Sequence, residues 1–218
     1  MSILVGIIGQ SGTGKTSALR NFNNDEVAVI NVSGKPMPFR SSLKTLDPSV
    51  YTQDPYEIIA GWLPKIKQPS IVIDDATYLM VDQFMANANV KGYDKYTQIA
   101  YNFVNLIEVA RRLPEEKIVY FLMHIEQSDD GREHMKTIGK MIDNYVTLEG
   151  KFTTVLKTVV KDGGYYFATH NNGYDTVKSP IGMFADDLIE NDLKAVDDVM
   201  REYWEIPRGG KSDDKDNE

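Results

Sequence analysis

Eight consecutive residues, Gly9-Gln10-Ser11-Gly12-Thr13-Gly14-Lys15-Thr16, combine three glycines with a lysine and two threonines. Glycines let a backbone curl until successive N–H groups point inward, where side chains would otherwise block an anion. A lysine closing such a turn supplies an ammonium for the β- and γ-phosphates, and the next hydroxyl supplies an oxygen for Mg²⁺. The spacing is that of the phosphate-binding pattern G-x-x-x-x-G-K-[ST], and Ser17 extends it. The segment from Lys15 to about Asn23-Asn24-Asp25 reads as a helix, whose N-terminus would add its positive dipole end. The alternative is an accidental glycine turn. A buried strand before it and a helix after it weigh against that.

A second group is Asp74-Asp75, closing the run Ser70-Ile71-Val72-Ile73. A carboxylate at the C-terminal end of a buried strand emerges where open α/β sheets bind ligands. Asp74 is then placed to hold Mg²⁺ beside Thr16, and Asp75 to orient or deprotonate an attacking water. Two solvated aspartates in a strand-end turn are the ordinary alternative. The third group, His124-Ile125-Glu126, follows the run Ile118 to Met123. There a polar side chain is positioned to sense a terminal phosphate, although a hydrogen-bonded histidine at a strand end would look the same. The lack of cysteine excludes thiolate zinc sites, and His134 and His170, far apart and without ligand spacing, argue against a catalytic zinc.

The elements that must position these groups alternate. Ile3 to Ile8, Val27 to Val32, Ile71 to Ile73 and Ile118 to Met123 are short apolar runs, expected to be strands covered on both faces. Between them, Ile99, Phe103, Leu106, Ile107, Ala110 and Leu113 form one helical stripe that Pro114 stops. Strands separated by helices predict a parallel sheet. Val155 to Val160, Asp162-Gly163-Gly164 and Tyr165 to Thr169 predict a β-hairpin. Leu193, Val196, Met200 and Tyr203 predict a final helix, capped by Asn191 or Asp192. The 218 residues therefore read as an α/β domain over 1–206, with a disordered acidic tail over 207–218.

Hydrophobic residues at 42% and charged residues at 26% fit a soluble globular chain. No apolar run approaches the roughly 20 residues of a membrane span, and the start lacks a signal-peptide pattern, so no membrane role and a cytoplasmic location are expected. A net charge of −8 argues against coating duplex DNA and confines any nucleic-acid contact to local loops.

Taken together, Gly9 to Thr16, the Ile71 to Asp75 strand, the strand ending in His124, Thr137-Ile138-Gly139-Lys140 and Asn191-Asp192-Leu193 resemble phage-encoded P-loop ATPases with a short RecA-like core. The resemblance covers about residues 3–206. It implies a mostly parallel RecA-like sheet flanked by helices, ATP and Mg²⁺ as ligands, and ATP hydrolysis. It also implies a place in single-strand annealing or recombination, with ATP between protomers of a homo-oligomer in the host cytoplasm. Single-stranded DNA would meet two loops, one holding Lys91, Tyr93, Lys95 and Tyr96, the other Arg132, His134, Lys136 and Lys140. Cations for phosphates and rings for stacking suit such binding, while Asp94, Asp129, Asp130 and Glu133 dilute the charge. One departure matters. RecA-type cores carry a catalytic Glu after the strand following the phosphate loop, and here that segment reads Asn31-Val32-Ser33-Gly34-Lys35. Catalysis would then rest on Lys15 and His124 with Asp75 or Glu126 as base, or be slow. A small-molecule kinase and a nucleotide-gated binding module with little hydrolysis are the competing classes.

Overall fold

The computed structural model describes residues 1–52, 54–139 and 146–207. Four apolar runs become strands: β1 (Ile3–Ile8), β2 (Val27–Asn31), β4 (Ser70–Asp74) and β5 (Ile118–Met123), all buried but for Ile3. The short strand β3 is Thr45–Leu46. Three more are β8 (Thr154–Lys161), β9 (Gly164–Ala168) and β10 (Leu188–Glu190). They form one eight-stranded sheet in the order β10-β9-β8-β1-β5-β4-β2-β3. Every pairing from β8 across to β3 is parallel, and β9 and β10 add antiparallel strands at one edge.

Alternation along each strand divides the core into two layers. Leu4 and Ile8 of β1, with Val119, Phe121 and Met123 of β5, face α1 (Pro55–Trp62), α2 (Thr77–Ala86) and α3 (Asp94–Arg111). The stripe Ile99, Phe103, Leu106, Ile107 and Ala110 is the buried face of α3, as its spacing predicts. Val5 and Ile7, with Tyr120 and Leu122, face the opposite way onto α4 (Leu193–Tyr203) and the segment holding Leu19 and Phe22. Helix α4 is fixed by a buried polar cluster. Its Arg201 Nε donates to Asp197 Oδ2 at 2.7 Å, and Asp197 Oδ1 accepts from Ser70 Oγ at 2.6 Å and Tyr120 Oη at 2.9 Å. Arg201 also donates to the carbonyls of Pro69 and Glu116.

The hairpin between β8 and β9 turns at Asp162 and Gly163, with φ of 51° and 75°. Both central residues are left-handed, as a two-residue turn matching the strand twist requires. Asp192 caps α4, accepting from the N–H groups of Lys194 and Ala195.

Two expectations are corrected. The helix read from Lys15 to about Asn23 is only a four-residue 3₁₀ turn, Thr16–Leu19. Side chains beyond it bond elsewhere: Arg20 donates to the Asn191 carbonyl and to Glu190, and Asn23 Oδ1 accepts from the N–H groups of Asp25 and Glu26. The Asn23 bonds are local and offer the backbone an alternative to the helix ladder. The second loop, from Ser128 onward, is largely a hairpin of its own, β6 (Ile125–Gln127) paired with β7 (Glu133–Met135). Lys140 and residues 208–218 of the expected tail lie outside the described residues. No described helix is long and apolar enough to cross a membrane.

Candidate functional site

Because β1, β4 and β5 are parallel, their carboxyl ends share one edge of the sheet. Gly9 follows β1, Asp74 ends β4 and His124 follows β5, so chemistry scattered over 115 residues of chain converges there. From β1 the sheet continues through β5 in one direction and β8 in the other, a switch of direction that opens a crevice. The crevice is a cavity of about 770 Å³, and Ser11, Gly12, Gly14, Lys15, Thr16 and Ser17 form one wall.

Two glycines of the loop are required by what surrounds them. A Cβ on Gly9 would stand 1.8 Å from Thr158 Oγ1, so β8 passes directly against the loop. The same hydroxyl meets Thr13 Oγ1 at 2.6 Å. Gly14 has φ of 98°, and a Cβ there would lie about 3 Å from both the Tyr165 ring and the Asn191 amide. Thr13 also donates to the Gln10 carbonyl at 2.8 Å, and Gly9, Gln10 and Thr13 brace the turn behind the cavity wall. Lys15 Nζ donates to the carbonyls of Gly9 and Gln10, each at 2.9 Å, which leaves one of its three N–H groups for a ligand. Lys15 is buried, and burial holds its pKa below the ordinary lysine value against the opposing pull of Asp75 and Asp74.

Thr16 Oγ1 donates to Asp74 Oδ1 at 3.0 Å. Asp74 is 3% exposed, and burial, reinforced by the neighbouring Asp75 charge, pushes its pKa up to about 6. A magnesium ion takes few protein ligands and completes its shell with waters and phosphate oxygens. The buried carboxylate and adjacent hydroxyl fit that requirement. Among the described residues no group of three or more His, Asp or Glu could hold a metal by itself.

Asp75 sits at φ of 58°, a left-handed conformation unusual for a residue with a Cβ, which turns its carboxylate into the cavity. Burial pushes its pKa up, but hydrogen bonds from His124 and Ser33 and the charge of Lys35 outweigh this and hold it below the usual carboxylate value. His124 Nε2 is 3.5 Å from one Asp75 oxygen and Lys35 Nζ 3.7 Å from the other. Tyr78 packs its ring against both, edge-on to His124 at 5.6 Å and 4.9 Å below the Lys35 ammonium.

The structure therefore brings together Lys15, Thr16, Asp74, Asp75 and His124. It places Glu126 elsewhere: its Oε1 is 3.2 Å from His134 Nε2 across the β6–β7 hairpin, and it does not line the cavity. Of the nucleic-acid candidates, Tyr93 is 85% exposed and Lys91 and Lys136 are exposed, whereas Arg132 faces Asp130 at 3.4 Å. Lys95 and Tyr96 lie in the first turn of α3 rather than in a loop, and Tyr96 stacks on Phe84 at 5.7 Å. The Tyr96 ring also packs beside Gly139, so the two candidate segments meet.

Sequence reasoning missed Arg20, Lys35, Tyr78, Tyr165 and Asn191, all of which line the cavity. They arrive from a helix, strands and loops, and no local spacing links them to the glycine turn. No protein-family model matches the chain, and no curated protein matches it.

Proposed function

We propose that the chain is a P-loop NTPase that binds ATP with Mg²⁺ and hydrolyses it. The observation that carries this reading is the 3.0 Å contact of Thr16 with the buried Asp74, one residue beyond a lysine held inside a glycine turn. The loop N–H groups and the free Lys15 donor suit a polyphosphate, and Thr16 and Asp74 would hold the metal. When bound, Mg²⁺ neutralises charge on the β- and γ-phosphates. Asp75 then accepts the proton of the attacking water, and His124, on the far side of the same carboxylate, orients it. The β1–β5–β4 arrangement, with both acidic residues at the end of a strand two places from the loop, supports a RecA-like core.

The partner proposed is single-stranded DNA, met by Lys91, Tyr93, Arg132 and Lys136, in a phage recombination or annealing step. Exposed cations beside an exposed ring favour it. A nucleotide-gated module with little turnover is the second reading, favoured by the absence of a carboxylate from Asn31-Val32-Ser33-Gly34-Lys35, the segment where RecA-type cores carry Glu. ATP turnover measured with and without single-stranded DNA decides between them. Stimulation by DNA supports the first reading, and tight ATP binding without turnover the second. Transfer of phosphate to a nucleoside monophosphate would overturn both in favour of a kinase.

A further inference from the structure

Lys35 is presented to the cavity by a built turn. Asn31 is buried, and its Nδ2 donates to the Lys35 carbonyl at 2.7 Å. Gly34, left-handed at φ of 63°, turns the chain after β2, and its N–H donates to the Asn31 carbonyl. The side chain then runs over the Tyr78 ring to within 3.7 Å of Asp75 while remaining 64% exposed. Such a pair is long and solvated, and pairs of this kind hold weakly. The other cations of the cavity are more firmly engaged. Lys15 gives two N–H groups to the loop, and Arg20 bonds both the Asn191 carbonyl and Glu190.

We propose that Lys35 reads the terminal phosphate of a nucleoside triphosphate, exchanging its loose contact with Asp75 for that phosphate when the ligand enters. The proposal rests on the nucleotide reading and adds to it a cation that separates triphosphate from diphosphate. A phosphate group offers three strong acceptor oxygens and more charge than one carboxylate, so the exchange runs toward the ligand. A diphosphate seated in the glycine turn is served by Lys15 and the loop N–H groups. The third phosphate, which Lys15 also reaches, would extend past the loop N–H groups toward the end of the cavity where Lys35, Asp75 and His124 meet. Departure of Lys35 also takes its charge away from Asp75, leaving that carboxylate held by His124 and Ser33.

The test is equilibrium binding of ATP and ADP, each with Mg²⁺, to the full chain and to Lys35→Gln and Lys35→Arg. Lys35→Gln should weaken ATP about tenfold and ADP less than about twofold, since one charge-assisted contact is lost with the triphosphate alone. Lys35→Arg should recover most of the loss. Asp75→Asn should strengthen ATP binding more in the wild-type background than in Lys35→Gln, because only there is a competitor for Lys35 removed. Equal weakening of ATP and ADP, or no weakening of either, overturns the inference and leaves the nucleotide site standing. If the wild-type protein binds neither nucleotide, both the site reading and this inference fall.

Discussion

Asp74 is subject to opposite demands. Its folded pKa of about 6 lies above the ordinary carboxylate value of 3.8, so the folded protein retains a proton that the unfolded chain releases. Between those two values the folded state binds more protons, and stability falls as pH rises through that window. Above about pH 6 the penalty is fully present; below about pH 4 it is gone. In the metal-free protein, Asp74→Asn should therefore raise stability at pH 7 by on the order of 2 kcal/mol and flatten that pH dependence. Urea denaturation at pH 4 and pH 7 measures both effects. On the proposed reading the same substitution should abolish the gain in ATP affinity that Mg²⁺ confers. Lys15→Ala should lower turnover by about 10²–10³-fold with an unchanged circular dichroism spectrum, because Lys15 donates only within its own loop and toward the ligand. Wild-type turnover in folded Lys15→Ala would remove the glycine turn from the mechanism.

At the scale of elements, α4 carries a desolvated ion pair within the helix, Arg201 with Asp197, each side chain 4% exposed, and both members reach the sheet through Ser70, Tyr120 and the carbonyls of Pro69 and Glu116. Removing Arg201 leaves Asp197 buried without its counter-ion, with only the hydroxyls of Ser70 and Tyr120 as partners. Arg201→Met should cost about 3–5 kcal/mol, and the double variant Arg201→Met/Asp197→Leu should recover part of it. Midpoints of urea unfolding decide this, and a loss under 1 kcal/mol would mean that water reaches Asp197. The bounds of β1, β5 and the α3 stripe were legible in the sequence because continuous apolar runs and a 3.6-residue period report burial directly. The hairpin at Asp162-Gly163 was legible because its backbone needs left-handed residues. The stop after Leu19 was not: the 3₁₀ turn ends where Arg20 meets Asn191 and Glu190, contacts some 170 residues away that no local pattern records. The three-residue strands β6 and β7 are too short to show a period. Lys35 was invisible as a site residue for another reason: a turn presents it, and its partner Asp75 follows the neighbouring strand, 40 residues along the chain.

For the whole molecule, a charge of −8 sets how single-stranded DNA would bind. Few cations would touch phosphates, so log K should fall by only roughly 0.7 per contacted phosphate as log salt rises. Replacing Arg132 and Lys136 with alanine should flatten that slope. Replacing Tyr93 should weaken binding with the slope unchanged, since stacking releases few ions. Anisotropy of a labelled oligonucleotide across a salt series checks both, and no binding at low salt with ATP present would end the DNA proposal. The contact between Thr13 and Thr158 carries a different consequence, one of timing. The glycine turn is made well before the hydroxyl that braces it, which is 145 residues further on. At about 5–20 residues per second, those residues take about 7–30 s to synthesise. During that interval the emerging chain has a phosphate-binding motif but no finished pocket, because the β8 strand that walls it has not been made. On the proposed reading, a nucleotide would find a finished pocket only once β8 is in place, and would then act as a clamp on the late-made edge of the sheet.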